Sequence, residues 1–296
     1  MSSISIAILP QLIINGLIAG SIYALAASGL SLVYYVVKFL NFAQGAVITI
    51  SAYLFFLFLD LMGLNYGFAA LLAIASSIII ALLMNLGIYK PLRKRKATNV
   101  VLMLSSLALL IFCSSLMLAL FGSGTKTLSL QNKTFDFSLF TITAIQISII
   151  FSAVLLLFLI WLIIKKTKLG KAMRALADNK ETAQVLGINP EKVYSYTFII
   201  AGALGAIAGI LIGLEQNLYP RMGVPIIVKG FISSVVGGIG SVPGAVVGGL
   251  FIGLVENIGI WFLPSGYKDV VSFTILLLFL LLKPKGILGV RMRDDT

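Results

Sequence analysis

Three ionisable side chains fall where a long apolar sequence offers them no water: Glu215, Lys229 and Glu256. A charge at the centre of a bilayer costs about 2.5–3.5 kcal/mol on insertion scales, so such residues are expected to pair, to hold helices together or to line a polar path. Glu215 sits near the end of its apolar segment, where an interfacial, solvated carboxylate explains it as well as a functional one. Lys229 opens a glycine-rich segment, and Glu256 lies well inside another beside Asn257. Both are expected to face the bundle interior, with polar bonding between helices the favoured role for Glu256. Asn15, Asn41 and Gln44 could bond a passing zwitterion or, equally, a neighbouring helix. Other chemistries have little to work with. The chain has no histidine, which removes imidazole catalysis and His–metal ligation. Its single cysteine, Cys113, lies in an apolar block, cannot form an internal disulfide and reads as a small buried hydrophobe. Gly122–Thr127 (GSGTKT) echoes a phosphate-binding loop but lacks its G-x-x-x-x-G-K-[ST] spacing and following helix, so it reads as a plain loop. No metal cluster or nucleophile–base pair supports a membrane enzyme.

The elements that must position these residues are membrane spans. Of 296 residues, 59% are hydrophobic and 11% charged, where a soluble domain carries about 25% charged residues. Apolar runs of about 18 or more residues read as transmembrane helices. The fold class expected is an all-α polytopic membrane bundle of about eight to ten spans, one domain over residues 1–296. Candidate spans run over roughly 9–36, 42–62, 66–89, 98–120, 141–164, 193–214, 224–241, 243–263 and 268–283. Met1 to Leu9 holds no Lys or Arg and runs into further apolar sequence, so no secretory signal is expected.

The net charge of +12 is concentrated after apolar blocks. The clusters are Lys90 to Lys96, Lys165 to Lys192, and Lys283, Lys285, Arg291 and Arg293. That is the positive-inside pattern of a membrane protein, not a nucleic-acid surface. It places loops 90–97 and 165–192 and the C-terminus inside, and loops 122–138 and 215–222 and the N-terminus outside. Segment 224–241 must cross to satisfy this parity. Gly223, Pro225, Gly230, Gly237, Gly238 and Gly240 make it a broken or short helix, tolerated only where its backbone is buried in protein or lines a cavity. Small residues recur at packing spacing: Gly16 with Gly20; Gly205, Gly209 and Gly213; Gly240, Gly244 and Gly248; Gly249 with Gly253. Close helix packing is the favoured role for each ridge.

Residues 165–192 (KKTKLGKAMRALADNKETAQVLGINPEK) form the longest stretch without an apolar block. Ala172, Leu176, Ala183 and Leu186 fall near one face of a single helix, with Arg174, Asp178 and Glu181 on others. Gly170 is expected to precede this helix and Gly187 to end it in a left-handed conformation. Asn189, Pro190 and Glu191 supply the cap, first-turn proline and first-turn acid of the next span. A surface helix on anionic lipid is one reading; a docking element for a cytosolic partner is preferred.

Glu181-Thr182-Ala183 followed by Gly187 resembles the E-x-A…G coupling loop of ABC-importer permeases, and GKAMRALADNKETAQVLGIN resembles that loop in LivH-type branched-chain amino-acid permeases. Three more stretches agree in order: Gly16 to Gly45, Lys229 to Asn257, and Tyr267 to Gly289. Asn41-Phe42-Ala43-Gln44-Gly45 resembles the family's NFAHG motif, with Gln44 in the histidine position and Ala46 where an acid usually follows. That departure weakens any titratable role there.

The resemblance implies a permease subunit of an ABC importer in the bacterial inner membrane, translocating branched-chain or related amino acids inward. It further implies a LivM-like second permease, two cytosolic ATPase subunits and an extracytoplasmic solute-binding protein, with membrane lipid around the spans. ATP would be bound by the partner ATPases, and this chain would need no cofactor. Gly170, Arg174, Glu181, Ala183 and Gly187 would couple to the ATPases; Asn15, Asn41, Gln44, Lys229 and Glu256 are the candidates for the path. Rival readings are a similar permease for urea, short amides or other amino acids, and an ion-coupled secondary transporter or channel. The second would place paired carboxylates or an Arg–Asp relay mid-span.

Overall fold

With no water to bond the backbone, a chain inside a bilayer satisfies its amides and carbonyls as helices. The structure, a computed structural model, describes residues 2–128, 133–137, 140–262 and 264–289. Arg291 and Arg293 of the last basic cluster lie outside the described residues. The elements are α1 (Ser2–Val37), α2 (Gln44–Phe56, continued by a π-helical turn Leu57–Leu61), α3 (Tyr66–Met84, continued by Asn85–Tyr89), α4 (Lys90–Lys94) and α5 (Asn99–Phe121). A short antiparallel hairpin, β1 (Thr134–Phe137) and β2 (Phe140–Thr143), precedes α6 (Ala144–Lys166). Then come α7 (Lys168–Asp178), α8 (Lys180–Val185), α9 (Pro190–Glu215), α10 (Gly223–Gly237), α11 (Val242–Gly259) and α12 (Lys268–Leu282).

Among the described residues, seven helices are long and apolar enough to cross a membrane: Leu9–Val37, Gln44–Leu61, Tyr66–Lys94, Asn99–Phe121, Ala144–Lys166, Pro190–Glu215 and Val242–Gly259. The chain is thus a polytopic helical membrane protein. α1 is central and α6 peripheral: the most apolar window of α1 is 83% buried within the protein and that of α6 only 17%. α10 and α12 have 15 residues each, about 22 Å of helix at 1.5 Å per residue against a hydrocarbon thickness of about 30 Å. The 224–241 segment is therefore a short helix. It is continuous over Gly223–Gly237, and the glycines with positive φ, Gly238 and Gly240, form the turn that follows it.

Small residues bring the backbones together. α1 and α11 run antiparallel, with Gly16 and Gly20 against Leu254 and Leu250, and Gly249 and Gly253 against Ala24 and Gly20. Gly209 of α9 abuts the Ile48 carbonyl and the Ser51 hydroxyl of α2, and Gly205 abuts Gln44. Gly244 and Gly248 seat α11 on Gly237 and Ser233 of α10. The exception to the expected ridges is Gly240, which belongs to the turn and not to the Gly244–Gly248 face.

Two helices begin partway through the bundle. Gln44, at the start of α2, bonds the Ala201 carbonyl midway along α9. The Gly223 amide, at the start of α10, donates to Thr49 Oγ1 of α2 at 3.0 Å. The loop 38–43 therefore carries non-helical backbone into the interior, where Phe39, Asn41 and Ala43 are buried, while the segment 216–222 dips in only at Leu218, Pro220 and Met222 and leaves Gln216, Asn217, Tyr219 and Arg221 exposed.

A side chain at Gly253 would strike the backbone of Gly20. Gly253→Val is expected to destabilise the protein by about 3 kcal/mol or more, read as a lower melting temperature in detergent. Gly87→Ala, whose added carbon meets nothing within 4 Å, should melt close to the unmodified chain. Equal melting of the two variants would refute the packing role of the α1–α11 seam.

Candidate functional site

The basic 165–192 stretch folds as two short helices instead of one. α6 hands directly to α7 through Thr167, which caps the C-terminus of α6 and whose hydroxyl accepts the Gly170 amide at 3.0 Å. Gly170 does not precede the helix; it lies in the first turn of α7, buried against the last carbonyls of α6 at Ile163 and Ile164, where a Cβ has no room. Arg174 donates to the Ile164 carbonyl, a cation satisfying an orphan acceptor at a helix C-terminus. Gly170 and Arg174 therefore fix α7 rigidly against α6.

The single-helix register fails at Asn179. It takes an extended conformation, ends α7, and caps α8 by accepting the Thr182 amide at 2.9 Å. Asparagine competes for the backbone in this way better than it propagates a helix. The break keeps Met173, Leu176 and Ala183 buried but turns Leu186 outward, 73% exposed beside Val185 at 87%. Glu181 and Gly187 are also exposed. Gly187 ends α8 as expected, at φ +82°, with its amide on the Gln184 carbonyl and that of Ile188 on the Ala183 carbonyl, the Schellman pairing. Asn189 caps α9 by accepting the Lys192 amide at 3.2 Å, with Pro190 in the first turn.

One connection had no sequence signal. Arg93, beyond the end of α3, donates through Nε and Nη2 to both carboxylate oxygens of Glu191, at 3.1 and 2.8 Å. It also bonds the Asn85 carboxamide and lies 5.0 Å from the Tyr194 ring. The pair is bidentate and its guanidinium largely buried, so the α8–α9 corner is tied to the α3–α4 corner. Arg93 reads in sequence as one of five positive-inside bases.

The path candidates fall in three places. Asn15 is half-buried and accepts from Gln11, one turn earlier, which in turn bonds the backbone of Thr141. Asn41 and Gln44 share the buried loop between α1 and α2. The Asn41 carboxamide accepts the Tyr89 hydroxyl at 2.8 Å, and Gln44 bonds Ala201 while wedged against Gly29 and Gly205. Ser106 of α5, which the sequence did not single out, accepts the Phe42 amide at 3.0 Å and lies 3.2 Å from the Leu40 carbonyl.

Lys229 and Glu256 come together. They form a buried ion pair between α10 and α11. Ser272 of α12 bonds Glu256 and accepts from Lys229 at 3.1 Å, and the Tyr23 hydroxyl of α1 donates to Glu256 at 3.0 Å. Lys229 also pairs with Asp269 at 2.8 Å, whose side chain is 71% exposed. Charge thus runs from a sealed carboxylate through a buried ammonium to the surface. A cavity of about 130 Å³ opens beside it, bordered by Gln216, Asn217 and Tyr219 from the segment after α9 and by Lys268 and Asp269 of α12. Glu215 stands apart, at the end of α9, where it accepts from Gln146 at 3.1 Å.

Removing one member of a buried pair costs about 3–5 kcal/mol, because the other charge is left uncompensated. Lys229→Met should therefore lower the melting temperature more than Glu256→Gln, since Asp269 still neutralises Lys229 in the latter. The double replacement should recover most of the loss. Wild-type melting of Lys229→Met would show that the pair holds nothing together.

Comparison with known proteins places this geometry in a family. The family described as "Branched-chain amino acid transport system / permease component" matches residues 12–280. The chain is 36% identical over 294 residues to the high-affinity branched-chain amino acid transport system permease protein BraD of Pseudomonas aeruginosa, covering 94% of this chain and 95% of that one. It is 36% identical over 297 residues to the corresponding permease protein LivH of Escherichia coli K12, with the same coverage of each. Among solved structures, PsaBC from Streptococcus pneumoniae in complex with Fab shares the fold, with a TM-score of 0.54 at 13% identity, covering 96% of this chain and 97% of that one. The chain belongs to the branched-chain amino acid transport system permease family.

Proposed function

We propose that the chain, as a single permease domain over 1–296, is one translocating subunit of an ABC importer of the bacterial inner membrane. It carries branched-chain or related amino acids inward. A LivM-like second permease completes the path, two cytosolic ATPase subunits drive it, and an extracytoplasmic binding protein delivers the solute. The observation that carries this reading is the α7–α8 unit: an exposed tip, Glu181, Val185 and Leu186, on a body with no slack toward the spans. Gly170 and Arg174 join it to α6, Ala183 is buried beneath it, and the Gly187 turn and Asn189 cap deliver it into α9. The Arg93–Glu191 pair extends the linkage to α3. A push on α8 therefore reaches three spans.

For the path, the reading favours Lys229 and Glu256, which border the small polar cavity at the end of the bundle away from α8. An ammonium and carboxylates offered together suit a zwitterion. Asn41 and Gln44 serve the path indirectly, by holding the buried α1–α2 loop, and Asn15 holds α1 through Gln11.

The test is the assembled importer, purified gently with Glu181→Lys or Leu186→Asp. Both residues are exposed, so the permease itself should melt unchanged. The ATPase should fail to coelute, and uptake of labelled leucine into proteoliposomes should fall at least about tenfold, the loss of roughly 1.4 kcal/mol of docking free energy. ATPase retention with full uptake, or sustained uptake by this chain alone, would overturn the proposal.

A further inference from the structure

A second cavity, larger and of different chemistry, lies at the basic end of the bundle. It encloses about 650 Å³ between α6, α7, α1 and the start of α11. Leu157, Ile164, Val242 and Val246 give it apolar walls, and Lys165 and Arg174 stand on its border. Trp161 also lines it, with the Lys165 ammonium 5.3 Å from the indole centroid.

Three features specify an occupant. The volume lies in the range of pockets that enclose an elongated small molecule, and it opens on the face of α6, whose Val154, Leu155, Phe158 and Leu159 are exposed along the same helix. An apolar face of this kind suits contact with acyl chains. The border is cationic: Lys165 and Arg174 line it with no acidic residue among its lining, and Lys166, Lys168 and Lys171 lie in the same stretch of sequence. Arg174 spends one donor on the Ile164 carbonyl, and a guanidinium has five. The positive end of the α11 dipole, at Ser241 and Val242, faces the same space. Tryptophan and lysine together at the end of a span mark the headgroup level of a membrane.

We propose that this groove is a binding site for an anionic phospholipid, one acyl chain lying along Leu157, Ile164 and Val246 and the phosphate held by Lys165 and Arg174. Basic pockets between spans on the positive side of a membrane bind acidic headgroups by this combination. The lipid then wedges between α7 and the α1–α11 pair. The site rests on the membrane-spanning fold and is independent of the solute carried.

The chain contains two tryptophans, Trp161 and Trp261, so Trp261→Phe leaves Trp161 as the only indole. This full-length variant is reconstituted in phosphatidylcholine vesicles containing either dibrominated phosphatidylglycerol or dibrominated phosphatidylcholine over the same series of mole fractions. Bromine quenches indole fluorescence on contact. The brominated phosphatidylglycerol is expected to reach half-maximal quenching at a several-fold lower mole fraction, and Lys165→Gln to abolish that preference while the protein still folds. Equal quenching by both lipids would reduce the groove to ordinary lipid contact and overturn the proposal. Quenching by neither would mean that protein covers it, and a preference surviving Lys165→Gln would remove the assigned headgroup contact; either result overturns it as well.

Discussion

A backbone amide or carbonyl inside a bilayer must find its partner within the protein, and the centre of this bundle is arranged around the two places where helices do not supply one. Between Val37 and Gln44, and again between Glu215 and Gly223, the chain leaves the helical pattern, mostly buried in the first stretch and partly so in the second. The first gap is met by side chains from elsewhere, and in the second the backbone of Lys126 pairs with that of Leu218 in both directions. Ser106 of α5 reaches the backbone of the first, and Tyr89 bonds its Asn41. Thr49 of α2 takes the first amide after the second. α10 links the two regions, with Gly45 and Phe42 on one side and the Glu256 cluster on the other. The ion pair, the small polar cavity and the short helix follow from solving this one bonding problem.

The sequence made most of the spans, the Gly187 stop and the Asn189–Pro190 start readable, because each depends on a local signal. Apolar run length, a left-handed glycine and a cap are properties of neighbouring residues. It also singled out Lys229 and Glu256, since an ionisable group in an apolar run has few ways to exist. It did not show that Asp269, Ser272 and Tyr23 complete their cluster. Those residues come from α12 and α1, and nothing in their immediate sequence distinguishes them from interfacial polar residues. Arg93 was hidden for a related reason, as one base in a basic run. The single helix expected over the 165–192 stretch failed because periodicity counts faces without weighing the strength of Asn179 as a cap.

α7 is mechanically part of α6. A shared cap at Thr167, a glycine with no room for a side chain and an arginine on the last free carbonyls leave no hinge between them. The same economy appears at the α8–α9 corner, where a proline-started helix carries its own ion pair to a distant corner of the bundle. By contrast, α8 ends in an exposed apolar tip. Close contacts are concentrated at the two junctions with the spans, and exposed apolar surface at the tip between them.

The position of Lys229 also governs how the chain can be made. Its countercharges, Glu256 and Asp269, follow it by 27 and 40 residues, so neither exists when α10 first leaves the ribosome. A helix of 15 residues carrying an unpaired ammonium is a poor candidate for insertion by itself. Only when α11 and α12 are in place does the ammonium meet its carboxylates. The stability of α10 in the bilayer thus depends, through a single lysine, on sequence that follows it.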